Sequence, residues 1–222
     1  MKLSSFVHIL SLLAFALLIS GCVQQRAISG PEGQLSILDP TASMDASWVM
    51  EGGYSGKFGI EEIGGRKALF LINGEDSYRI IRRTKASLLT TPFLTWEWSL
   101  RAFLGENHPI RIVVGFQGKG HENLGWGNDL PDHSRILTVG WSRTPQQQDR
   151  LFTKKSAAHY IIGGGAPPLS TWRAEVADLA SLYTRAWPGD EQTNTQITFI
   201  GLLVDEGQPA TRGHIARLWL AR

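Results

Sequence analysis

Cysteine is almost absent from this chain. Cys22 is the sole one among 222 residues, and a lone cysteine closes no internal disulfide. An excess of charge is missing too. Lysine and arginine total 22 against 20 aspartate and glutamate, a balance spread along the sequence that argues against a nucleic-acid surface. Signatures of chemistry are scarce as well. There is no Gly-x-Ser-x-Gly, so nucleophilic hydrolysis has no elbow to use. No His-x-His, His-Glu-x-x-His or calcium-loop spacing occurs to hold a metal. Gly163 to Gly165 are not followed by Gly-Lys-Ser/Thr, which leaves them a turn rather than a phosphate loop. No internal repeat is visible.

What the chain does hold is tryptophan and glycine, 8 and 24 residues, suited to short strands, tight turns and aromatic-rich cores or binding faces. Hydrophobic residues make up 42% and charged residues 19%, the proportions of a globular chain. Residues 1–21 stand apart from the fold. Phe6 to Leu18 is an apolar run too short to span a bilayer comfortably, and it ends in small residues, as a secretory signal does. Leu18-Ile19-Ser20-Gly21-Cys22 resembles a bacterial lipobox, which implies that Cys22 is lipidated and becomes the first residue of the mature chain. Several acyl chains at about 0.8 kcal/mol per buried methylene make such an anchor effectively permanent. Val23, rather than aspartate, follows the cysteine. By resemblance to sorted lipoproteins of Gram-negative bacteria, this favours the periplasmic face of the outer membrane over the inner one. Residues 22–33, with Gly30-Pro31, read as a tether. Residues 34–222, roughly 200 residues, fit one β-sandwich domain.

Leu94 to Leu100 alternates Leu94, Trp96, Trp98 and Leu100 against Thr95, Glu97 and Ser99, the period-two pattern of a half-buried strand. Ile110, Ile112, Val114 and Phe116 make a matching stripe. Two such stripes predict a sandwich core. Further strands are expected at 34–38, 48–50, 57–63, 67–72, 77–83, 135–141, 157–162, 196–205 and 214–220. Residues 77–83 have one ambiguous face. Asn73-Gly74 marks a turn. Trp172 to Trp187 fits both periods over part of its length. It reads as a strand to Ala177 and then a short helix capped by Asp178, with Leu179, Leu182, Tyr183 and Ala186 buried and Pro188-Gly189 stopping it. The fold class is mainly β: an antiparallel sandwich of jelly-roll type with one short helix.

Leu94-Thr-Trp-Glu-Trp98, Pro109 to Val114, Leu124-Gly-Trp-Gly-Asn128 and Trp172 through Tyr183 to Trp187 are similar to an exported bacterial family, domain of unknown function 3047. The resemblance runs from Trp48 to Leu220. It implies a sandwich related to galactose-binding-like and carbohydrate-binding jelly rolls, and no activity. The family pattern has an acid where this chain has Leu182. Near its end it has an Asp-x-Asp pair followed by Gly-Asp, where this chain has Asp205, Gly207 and His214. Asp178 and Asp205 are thus the weak candidates for an ion site, one that this chain has weakened or lost.

Trp96, Glu97 and Trp98 could recommend a glycosidase, but alternation points both rings one way and Glu97 the other, and no paired carboxylates stand out as a motif. The polar, Gly-rich loop 118–133 offers His121, Glu122, Trp126, Asn128, Asp129, Asp132 and His133. Loops of a sandwich are where binding groups are free to act, so Trp126, Asn128, Asp129 and His121 are the expected ligand contacts, with Trp126 tucked into the core as the rival reading. A groove lined by Trp126, Trp141 or Trp187 would favour binding, converging acids catalysis, and a flat apolar patch docking. The function expected is a non-catalytic binding module for a glycan or envelope polymer, with no cofactor, no nucleic acid and a membrane partner through the anchor. A polysaccharide-acting enzyme and a scaffolding envelope lipoprotein are the alternatives.

Overall fold

The structure, a computed structural model, describes residues 34–127, 129–167 and 171–222. The leader, Cys22, the tether and Asn128 lie outside the described residues. In chain order the strands are β1 (Gln34–Leu38), β2 (Trp48–Gly52), β3 (Phe58–Ile63), β4 (Arg66–Ile72), β5 (Tyr78–Ser87), β6 (Phe93–Leu100), β7 (Ile110–Gln117) and β8 (Arg135–Ser142). After a 3-10 turn at Pro145–Gln147 come β9 (Leu151–Lys154), β10 (Ala157–Gly164), β11 (Arg173–Asp178), the helix α1 (Leu179–Ala186), β12 (Gln196–Val204) and β13 (Arg212–Ala221).

These strands form a β-sandwich of jelly-roll type. One sheet has six strands in the order β11-β6-β13-β4-β3, with β1 also on β13; the other has seven, β2-β5-β12-β7-β8-β10-β9. Among the described strands all pairings are antiparallel but one. β8 and β10 run parallel, a departure from the fully antiparallel arrangement the sequence predicts. The cause is the β9–β10 hairpin, in which Ala157 pairs with Lys154 across a two-residue turn where Lys155 takes a φ of 55°. That tight turn sends β10 back between β8 and β9.

The core fills the space between the sheets. Leu94, Trp96, Trp98 and Leu100 of β6 meet Ile110, Ile112, Val114 and Phe116 of β7 there, all closed from solvent. The two stripes read from the sequence therefore face each other from opposite sheets. Burying each large side chain stabilises by roughly 1.5–3 kcal/mol. The 172–187 stretch resolves as expected. β11 runs through Asp178, whose carboxylate accepts the Ser181 N–H at 2.9 Å, and Leu179, Leu182, Tyr183 and Ala186 of α1 are buried. Capping of this kind stabilises by about 1 kcal/mol.

A second, smaller apolar cluster lies on the outer face of the seven-stranded sheet: Val49, Ile81, Val113, Leu130 and Phe199. It resolves the ambiguous face of β5, whose Ile80 points into the main core and Ile81 into this cluster. Phe199 fits because Gly115 faces it across the ladder; a Cβ there would sit 2.1 Å from the ring.

Candidate functional site

Loop 118–133 is the cover of that second cluster. Leu130 packs into it and Trp126 lies half-buried against it. The Arg79 guanidinium sits 4.2 Å from the Trp126 ring centroid, while Phe199 and His133 flank the ring at 6.2 Å. Asn123 ties the loop to itself, donating to Asp132 at 2.6 Å and accepting from Gly125 N–H at 3.1 Å. Asp129 is exposed, and its backbone carbonyl accepts from Arg83 at 2.7 Å. His121 lies at the other end of the loop, its carbonyl accepting from Gln117 at 2.9 Å and its ring against Gly118. Of the four expected contacts, Trp126 and Asp129 thus share one end of the cover and His121 stands apart.

The two weak ion-site candidates are otherwise engaged. Asp178 caps α1, and Asp205 is ion-paired with Arg111. Beside that pair the His159 Nδ1 meets the Thr138 hydroxyl at 2.8 Å. Burial, helped by the Arg111 charge, pushes this imidazole down to about 4. Among the described residues no three His, Cys, Asp or Glu side chains gather to hold a metal ion.

A concavity lies on the opposite sheet, and it follows from how β13 is partnered. Along one edge β13 pairs with β6 from Gly213 to Ala221. Along the other it pairs first with β4, Arg212 to Ile215, and then with β1, Leu218 to Ala221. Between those two partners β13 bulges, with its register shifting between Ile215 and Arg217. A bulge sharpens the local twist and re-aims side chains. Here β1 and β4 diverge around it and leave a groove of about 780 Å³.

Trp219, Arg217, Arg66, Lys67, Glu97 and Asp39 line this groove. Trp219 and Glu97 are half-buried; Arg217, Arg66 and Lys67 are exposed. The Gly64-Gly65 turn, with φ of 59° and 73°, is the two-glycine hairpin form that only such residues adopt without strain. It starts β4 at Arg66, which reaches past β13 to Glu97 at 2.8 Å and lies 5.6 Å from the Trp172 ring. Asp39 accepts from the Thr41 hydroxyl at 2.7 Å and its N–H at 2.9 Å. Those bonds, with a smaller pull from Arg217, hold its carboxyl below the usual carboxylate range. A general acid for glycoside cleavage needs the opposite shift, so Asp39 is an ionised acceptor here.

None of Trp126, Trp141 and Trp187 lines this groove. Trp141 and Trp187 are core residues, 3% and 6% exposed, with their indole N–H groups donating to Gly165 and Lys155 carbonyls at 2.7 and 2.8 Å. Both rings fill the sandwich because each has a backbone acceptor within reach, which removes the usual reason for an indole to stay at the surface. Trp219, on an outward position of β13, is the ring that faces the groove. Its only signal in the sequence is the alternation of Leu218, Trp219 and Leu220.

No family model matches the chain, and no curated protein matches it. Among solved structures it is similar to the family 11 carbohydrate-binding module of the cellulosomal cellulase Lic26A-Cel5E of Clostridium thermocellum, at 9% identity and a TM-score of 0.48, over 86% of this chain and 96% of that one. It is also similar to the K2 cleaved adhesin domain of Lys-gingipain, at 10% identity and 0.40, over 85% and 99%. A third is endoglucanase 3 of Trichoderma harzianum, family GH12, at 9% identity and 0.36, over 81% and 99%. These are resemblances of shape at low identity.

Proposed function

We propose that this protein is a non-catalytic binding module that holds a glycan or envelope polymer in the groove beside β13, and that Cys22 anchors it to the periplasmic face of the outer membrane. The observation behind the binding reading is the groove itself. It combines one accessible indole face on β13 with hydrogen-bonding groups of both kinds, from β4, β6, β13 and the turn after β1. A flat ring packs against the apolar face of a pyranose while fixed polar groups meet its hydroxyls. The resemblance to domain of unknown function 3047 agrees with an exported module.

Affinity electrophoresis of the detergent-solubilised full chain through gels containing soluble polysaccharides tests this. Retardation by at least one polymer is expected, reduced at least tenfold in apparent affinity by Trp219→Ala with the unfolding transition kept. Retardation indifferent to Trp219 would move the site elsewhere, and the loop carrying Trp126 and Asp129 becomes the next candidate.

A scaffolding role has one observation in its favour. Val176 and Phe93 are 57% and 36% exposed, and both neighbour the Thr95–Trp219 pair on the outer face of the six-stranded sheet. A protein docked on that patch would compete with polymer for Trp219.

A further inference from the structure

Polymers of the same sugar geometry differ in charge, and the groove is not neutral. Its ionisable lining is Arg66, Lys67 and Arg217 against Asp39 and Glu97. The two carboxylates are already committed. Glu97 accepts from Arg66, and Asp39 from both donors of Thr41. The cations are not matched in the same way. Among the described residues neither Lys67 nor Arg217 forms an ion pair, although Arg217 lies within electrostatic range of Asp39. Both are exposed on the groove wall. The bulge at Ile215–Arg217 puts Arg217 where neither β4 nor β1 pairs with it.

From this we infer that the polymer is anionic: a chain of pyranose units bearing an oxyanion, carboxylate or phosphate, with Lys67 and Arg217 receiving the negative groups while Trp219 stacks on a ring. The inference rests on the glycan reading of the groove. A guanidinium meets an oxyanion through two parallel N–H donors, and an ammonium meets it as a point charge. Neutral hydroxyls would leave that complementarity unused. Lys67 on β4 and Arg217 on β13 lie just past the last β4–β13 pair, Leu69–Ile215, and both line the groove, so a polymer lying along it passes both.

The test uses the full chain in detergent with three probes: alginate for carboxylate, phosphomannan for phosphate and laminarin as a neutral glucan. At 50 mM salt, one of the anionic polymers is expected to bind at least tenfold tighter than laminarin. Raising the salt to 500 mM removes most of the difference, because exposed charge contacts are screened. Which anionic polymer binds tells carboxylate from phosphate. Lys67→Gln with Arg217→Gln is expected to reduce the tighter affinity to the laminarin level, whereas Lys154→Gln with Lys155→Gln, remote on the β9–β10 hairpin, leaves it unchanged. Equal loss in both double variants would mean that overall charge, not the groove, selects the polymer, and would overturn the inference. So would laminarin binding as tightly as the anionic polymers; the glycan reading would then survive through the Trp219 dependence. No binding of any probe overturns both.

Discussion

The indoles of Trp96 and Trp98, two residues apart on β6, meet with ring centroids 5.5 Å apart and planes at 89°. An edge-to-face pair of this kind adds about 0.5–1.5 kcal/mol beyond its burial. Both Nε1 groups are buried without a hydrogen-bond partner among the described residues. Truncating either ring to Ala is therefore expected to cost roughly 3–5 kcal/mol. Phenylalanine at either position should cost less, since it keeps most of the ring and deletes a desolvated donor. Glu97→Ala, on the wet face, should change stability by less than about 1 kcal/mol. Urea unfolding measures all three, and a larger loss at Glu97 than at either indole would reverse the assignment of faces.

Trp126 is expected to behave as a staple of its loop. Its ring bears on Phe199 and Arg79 and roofs the second apolar cluster. Trp126→Ala should lower stability by about 2 kcal/mol or more and raise amide exchange through residues 118–133 ahead of the sheets. Unchanged exchange with lost polymer binding would instead make the ring a ligand contact.

Much of this arrangement is legible in the residues, and the boundary of legibility is physical. The β6 and β7 stripes, the switch from β11 to α1 and the Asp178 cap are local patterns, set by neighbours within a few positions. Ile81, Val113 and Phe199 carried a subtler sign. Apolar residues on both faces of a strand mean both faces are covered, and here loop 118–133 supplies the second cover. The groove has no local signature. Asp39, Arg66, Glu97 and Trp219 come from distant stretches, and they meet only because β13 exchanges one partner for another midway. The parallel β8–β10 pair was hidden for the same reason, since direction of pairing leaves no trace in periodicity.

Acid should weaken the fold. Burial pushes His108 down to about 4, His159 to about 4 with Arg111 assisting, and His133 down as well. His108 shows why: Nδ1 accepts the Ile110 N–H at 3.1 Å and Nε2 faces the Arg101 carbonyl at 3.2 Å, so the neutral ring is fully used. The unfolded chain takes up the His108 and His159 protons below about pH 6.5, while the folded one resists until near 4. Stability from the neutral histidines is thus complete above 6.5 and is lost as pH falls toward 4, by about 3 kcal/mol for His108. Melting temperatures across pH 8 to 4 test this. His159→Gln should flatten the slope, and an unchanged slope would argue against His159 as a contributor.

Cys22→Ser is expected to abolish acylation. Metabolic labelling with an alkyne fatty acid, followed by fractionation of the envelope, reads it out. Equal label on both proteins would rule out the anchor.

The place of β1 gives the molecule a mechanical character. Among the described strands it pairs only with β13, from Gln34–Ala221 to Leu38–Leu218, and Arg82 of the facing sheet donates to its Ser36 and Ile37 carbonyls at 3.3 and 2.7 Å; residues 1–33 precede it. The same strand supplies Gln34, Ser36 and Leu38 to the groove wall. Under the proposed anchor and groove, tension from the membrane and tension from a bound polymer would meet at this strand. A pull on the anchor would then load one wall of the binding groove, so that grip and strain would be coupled through β1.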